Sequence, residues 1–182
     1  VSRIPGSRLD LRGQQRTVWD AADGDDGESA PSVGVLALQG DVLEHARALA
    51  GVGLRPVAVR RPADLDGLAG LVLPGGESTA ISRALERGGL AAPLAALIRS
   101  GLPVLATCAG LILLSDELEG DEDLPRPGGL AVRTRRNAYG PQTASFDVAF
   151  EVAGITGGPM HASFIRAPRI EAVLSPEVEV LA

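Results

Sequence analysis

Three short apolar runs, each ending at a junction of small or polar residues, limit most narrowly what this chain can fold into. Val33-Gly34-Val35-Leu36-Ala37-Leu38 ends at Gln39-Gly40, Leu71-Val72-Leu73 at Pro74-Gly75-Gly76, and Val104-Leu105-Ala106 at Thr107-Cys108. Runs this short and this apolar read as buried strands. Helical spacing fills the stretches between them. Val42, Ala46 and Leu49 share one face of residues 41–50, which Asp41 is placed to cap, and Gly51 and Gly53 stop that helix. Residues 78–87 and 90–99 read as two more helices, parted by Gly88-Gly89, and Leu111 to Leu114 lie in the first turns of a fourth. Residues 54–59 form another strand, which Arg55 and Pro56 push toward a sheet edge. Such alternation predicts an α/β fold with a mostly parallel sheet. Ligands bind such sheets beyond the carboxyl ends of the strands, where these three junctions lie.

The flanks are less patterned. Residues 1–31 show no apolar period and carry the acidic cluster Asp20, Asp23, Asp25, Asp26 and Glu28, so they read as a disordered tail before a domain over residues 32–182. Residues 115–129 are acidic and rich in Gly and Pro, hence surface loop. Alternation predicts strands over residues 130–134, 145–152, 163–168 and 177–181. The formal charge of −6, with every one of the 17 basic residues an arginine, argues against broad binding to nucleic acid or an anionic membrane. No run approaches a membrane span and the first residues lack a secretory signal's apolar core, so a cytoplasmic protein is expected. One cysteine excludes an intrachain disulfide framework, and with two histidines it is too sparse for a metal site.

Chemistry concentrates at the junctions. Cys108 sits where a strand turns into a helix, a position near helix N-terminal amides that favours thiolate; the bland reading is a small buried hydrophobe. Gly75-Gly76 lets backbone N–H groups approach a ligand and supply part of an oxyanion hole, though paired glycines also make ordinary turns. Ser78 or Thr79 can cap the next helix. No Gly-Lys-Ser/Thr follows, so this is not a nucleotide-phosphate loop. His45, within the first helix, reads as a surface or interface residue, and His161, after Gly157-Gly158-Pro159, as a loop residue. Neither offers Cys108 an obvious base. Arg136 and Arg166 lie beside turns, where each can clamp a carboxylate or simply meet solvent.

These residues carry a specific likeness. Residues 33–40, residues 71–79, Thr107-Cys108-Ala109-Gly110-Leu111-Ile112-Leu113-Leu114, Arg136-Asn137 and Phe164-Ile165-Arg166-Ala167-Pro168 resemble, in this order, the glutaminase subunits of pyridoxal 5′-phosphate synthase, within the class I glutamine amidotransferases. The resemblance implies a three-layer α/β/α flavodoxin-like domain. It implies hydrolysis of L-glutamine to L-glutamate and ammonia, with the ammonia passed to a (β/α)-barrel synthase partner. It implies no cofactor on the glutaminase itself. By this resemblance Cys108 is the nucleophile, and Gly76, Glu77, Ser78, Arg136, Ile165 and Arg166 contact glutamine. Gln39 and the first helix, with His45, would face the synthase.

Two departures stand against the likeness. Pro141 occupies a turn position where the family usually has arginine. The family's triad histidine and glutamate belong to a His-Pro-Glu motif expected after Ala182, and neither His45 nor His161 matches it. The expectation is therefore a C-terminally incomplete domain with little glutaminase activity. The alternatives are an inactive homologue that only docks on the synthase, and another cysteine hydrolase of the same superfamily.

Overall fold

Three almost wholly buried strands, over residues 32–36, 55–59 and 70–73, centre the first half of the chain, while residues 104–106, read as a buried strand, lie at the sheet edge with Leu105 exposed. The computed structural model describes residues 6–9, 15–18, 30–120, 124–140, 143 and 145–182. They fall into two compact units, residues 1–113 with 124–127, and residues 114–123 with 128–182.

The first unit holds a six-stranded sheet: β1 (Gly6–Leu9), β2 (Gln15–Val18), β3 (Ser32–Leu36), β4 (Arg55–Val59), β5 (Gly70–Leu73) and β6 (Val104–Ala106), in the order β1-β2-β4-β3-β5-β6. Strands β4, β3, β5 and β6 are parallel, with Val35 opposite Ala58 on one side and Val72 on the other. Four helices flank this core: α1 (Val42–Gly51), α2 (Ser78–Arg87), α3 (Ala91–Arg99) and α4 (Ala109–Leu114). The α/β reading of the sequence thus holds. Helix α2 buries Ser78, Ile81, Ser82 and Leu85, a stripe at helical spacing. Leu36, Val59, Leu71 and Leu73 from the strands and Leu90, Leu94 and Leu113 from the helices are all but fully buried. Each such side chain contributes about 1.5–3 kcal/mol relative to exposure. Asp64, in a 3₁₀ turn over Pro62–Leu65, is buried and accepts N–H bonds from Arg60 (3.0 Å) and Arg61 (3.1 Å).

Several expectations need correction here. Within residues 1–31, β1 and β2 pair antiparallel, and Val18 pairs with Val57 of β4. Those two segments are strands rather than featureless tail, because main-chain pairing needs no apolar period. The acidic cluster lies outside the described residues. That pairing also means β4 is not an edge strand, despite Pro56.

Among the described residues, five strands make up most of the regular structure of the second unit. β7 (Ser115–Glu119), β8 (Leu130–Arg135) and β11 (Arg169–Val173) form one sheet in the order β11-β8-β7. β9 (Phe146–Phe150) and β10 (Met160–Phe164) pair antiparallel as a second. Residues 115–119 were expected as loop. They form a strand because Ser115 and Leu118 turn inward, and the buried Ser115 hydroxyl hydrogen-bonds Thr134 of β8 at 2.7 Å. The strand expected over 163–168 lies earlier, as β10, and the one expected over 177–181 is not formed. Instead β11 occupies 169–173, with Arg169 and Glu171 clasped side by side at 2.7 Å.

Candidate active site

Strand order determines where a site can form. After β3 the chain crosses to β4 on one side, then returns to place β5 on the other side of β3. In open α/β sheets such a reversal marks the crevice where ligands bind, here beyond the carboxyl ends of β3 and β5. Residues 39–41 leave β3 into it and residues 74–78 leave β5 into it. The two loops touch through main chain. The Asp41 N–H donates to the Gly75 carbonyl at 3.1 Å. A side chain on Gly40 would put its Cβ 1.7 Å from that carbonyl oxygen, and one on Gly76 would meet Gly40 Cα at 3.0 Å. Both glycines also adopt φ values closed to other residues, +102° and +153°.

The third junction adjoins this pair. Cys108 stands between β6 and α4, solvent-exposed, with φ +46°. A non-glycine residue there costs about 1–2 kcal/mol, so neighbouring contacts must hold it. The Thr107 N–H donates to the Leu73 carbonyl (3.1 Å), and the Thr107 carbonyl accepts from Gly110 N–H (2.7 Å). Gly110 packs α4 on β5 so closely that any Cβ would sit 2.0 Å from the Leu73 carbonyl oxygen. A Cβ on Gly75 would lie 3.5 Å from Cys108 Cβ, so the glycine loop runs beside the thiol-bearing carbon. This arrangement presents an exposed thiol at an elbow beside the main chain of a glycine loop, components that acyl transfer uses. Helix α4 has six residues, too few for much of a dipole to act on the thiol.

The other residues of this loop are also located. Glu77 is exposed and its N–H donates to Gln39 Oε1 at 2.7 Å. Ser78 is buried as the first residue of α2; Glu77 takes the cap position and neither Ser78 nor Thr79 does. His45 is the residue that sequence reasoning misjudged. Its Nε2 lies 3.1 Å from Thr107 Oγ1, across 62 residues of chain. The available signal was its place one turn beyond Asp41, on the face of α1 that leads toward the strand ends.

Arg136, Ile165 and Arg166 belong to the second unit, as does His161, which lies exposed on β10 rather than in a loop. Arg136 follows β8 and is half-buried; Ile165 and Arg166 follow β10 and are exposed. Ala138 N–H bonds to the Ala167 carbonyl at 3.1 Å, so the two arginine-bearing turns are neighbours. Asn137 and Arg166 both have positive φ, +50° and +46°. Tyr139, Phe146 and Phe164 brace these turns, the two phenylalanine rings stacked 5.0 Å apart. Pro141 lies outside the described residues. Among the described residues, no group of three or more His, Cys, Asp or Glu is placed to hold a metal ion, and no helix is long and apolar enough to cross a membrane.

Comparison with known proteins decides the family. The model of the SNO glutamine amidotransferase family matches residues 35–182. This chain belongs to the SNO glutamine amidotransferase family. It is similar to pyridoxal 5′-phosphate synthase subunit PdxT of Frankia casuarinae, at 54% identity over 155 residues, 85% of this chain and 77% of that protein. It is similar also to the PdxT subunit of Clavibacter sepedonicus, at 53% identity over 153 residues, 84% of this chain and 73% of that protein. A solved crystal structure of a glutamine amidotransferase superposes with a TM-score of 0.76 at 43% identity, covering 82% of this chain and 78% of that one. As an SNO-family amidotransferase, the chain thus shares both sequence and α/β core with its relatives.

Proposed function

We propose that this chain is the glutaminase subunit of a pyridoxal 5′-phosphate synthase. It hydrolyses L-glutamine to L-glutamate and ammonia, and hands the ammonia to a (β/α)-barrel synthase subunit. The observation that carries the reading is the Cys108 elbow beside Gly75-Gly76 at the crevice between β3 and β5. In this reading the Cys108 thiolate attacks the side-chain amide carbon of glutamine. The amide nitrogen takes a proton from solvent water, the C–N bond breaks, ammonia leaves, and a thioester remains. Water attacks the thioester, releasing glutamate and the thiol. Main chain at Gly76 faces the oxyanion formed in both steps. Glu77 and Ser78 contact the bound amino acid. Arg136 and Arg166 suit bidentate recognition of its α-carboxylate, and Ile165 supplies an apolar contact.

A second reading, an inactive homologue that docks on the synthase without turning glutamine over, is favoured by the placement of the two histidines. His45 is engaged with Thr107, and His161 lies on β10. One experiment separates the two. The chain is mixed with the synthase and L-glutamine, ammonia is measured, and Cys108 is probed with the glutamine-shaped diazoketone 6-diazo-5-oxo-L-norleucine. Ammonia release and labelling, both lost in Cys108→Ala, support the glutaminase. Binding to the synthase with neither supports the docking homologue. Absence of all three refutes both.

A further inference from the structure

We propose that His45 is a positioning residue for Cys108, acting through Thr107. The inference deepens the glutaminase reading and rests on it. Thr107 is held at three atoms. Its N–H is bound to Leu73 of β5, its carbonyl to Gly110 of α4, and its hydroxyl to His45 of α1. The first two bonds fix where the elbow leaves the sheet. The third comes from a separate element and sets the rotation of residue 107 itself. It thereby constrains the peptide that leads into Cys108, whose φ of +46° persists only while its surroundings hold it.

Helix α1 also reaches the other half of the site. Asp41, at the start of α1, donates its N–H to the Gly75 carbonyl, and one turn later His45 holds Thr107. The helix is therefore a rigid spacer with one contact on the glycine loop and one on the thiol elbow. It keeps the adjoining Gly75 and Cys108 in register with each other. A hydroxyl both donates and accepts, so the link forms with either imidazole tautomer and with imidazolium. His45 thus holds position without having to change protonation. Both His45 and Thr107 are half-buried, where a hydrogen bond is less exposed to competing water.

The single cysteine makes the test clean, since any thiol reagent reports Cys108 alone. Two probes are compared: iodoacetamide, which needs only the thiol, and the glutamine-shaped diazoketone, which needs thiol and glycine loop in register. His45→Leu and Thr107→Val should slow the diazoketone about tenfold, the effect of losing one hydrogen bond, while iodoacetamide changes less than about threefold. Thr107→Ser and His45→Gln, which keep a hydrogen-bonding group, should recover most of the diazoketone rate. The double variant should be no slower than either single one. Hydrogen exchange of amides 107–110 should rise in His45→Leu and Thr107→Val and stay low in the two conservative variants. Equal slowing of both probes, additive losses, or no rescue by Thr107→Ser would reduce His45 to a general stability role and overturn the proposal. Where the unsubstituted chain takes iodoacetamide but not the diazoketone, the glutaminase reading fails. The positioning role is then judged by exchange alone, and unchanged exchange in His45→Leu overturns it.

Discussion

Gly110→Ala sets two measurable effects against each other. Alanine within a helix is favoured over glycine by about 0.5–1 kcal/mol, so propensity alone predicts a more stable α4. Packing predicts the reverse. The new Cβ would stand 2.0 Å from the Leu73 carbonyl oxygen, 2.7 Å from its carbonyl carbon and 2.9 Å from its Cβ. To relieve this, α4 has to withdraw from β5 by about 1 Å, a shift of the size that costs 1–3 kcal/mol in a packed core. Nothing nearby yields easily: Leu73, Ala109 and Leu113 are completely buried. Withdrawal also stretches the bond from Thr107 N–H to the Leu73 carbonyl, worth about 1 kcal/mol. The balance is a loss of about 2 kcal/mol, with packing dominant. A urea titration followed by far-ultraviolet circular dichroism should show the midpoint fall by about 1 M. Because α4 begins directly after Cys108, diazoketone labelling should fall by up to about 100-fold, the scale associated with a 1 Å misplacement. A midpoint equal to or above that of the unsubstituted chain would refute the reasoning. It would mean that the close approach of Gly110 to β5 carries no energy.

Gly51→Ala serves as the opposite case. Gly51 closes α1 and a Cβ there meets nothing within 4 Å, so the substitution should raise the urea midpoint by the equivalent of about 0.5 kcal/mol; a lower midpoint would contradict the open surroundings. Glu171 supplies a prediction about acid. Its hydrogen bond from Arg169, aided by the charge of Arg135, holds its carboxyl below the ordinary carboxylate value, against the penalty of desolvation. A depressed carboxylate contributes stability above its unfolded value and loses it as pH falls through the folded one. Glu171→Gln should therefore destabilise the chain at pH 7, and the difference should shrink as pH falls through the lowered folded value; a difference independent of pH would exclude the ion pair as its cause.

The centre of the first unit was legible because β3, β4 and β5 are almost wholly buried, whereas β6, read as a buried strand, lies at the sheet edge with Leu105 exposed. Val35, Leu36, Leu71, Val72 and Leu73 write burial into the sequence as unbroken apolar runs. Their small-residue junctions pointed in turn to Gly76 and Cys108. The second unit was harder, and for a physical reason. Alternation located β9 within residues 145–152, but four of its five residues, Phe146 to Ala149, are exposed, so the pattern did not say which face is covered. β7 turns a serine inward to meet Thr134, a burial that composition alone reads as loop. His45 was missed because its meaning lies in Thr107, 62 residues away, and helical spacing shows a face without naming what it meets.

The crevice wall between β3 and β5 is main chain against main chain, from Asp41 N–H to Gly75 carbonyl and from Gly40 to Gly76. Side chains tune a site by size, rotamer and charge, and the glycines of this wall have none of these to vary; Gln39 and Asp41 bring side chains to it. Substituting a glycine can break the wall but cannot reshape it by degrees. On the proposed reading, widening the range of amides accepted would have to start from the side chains at the rim, Gln39, Asp41 and Glu77, and leave the glycines untouched.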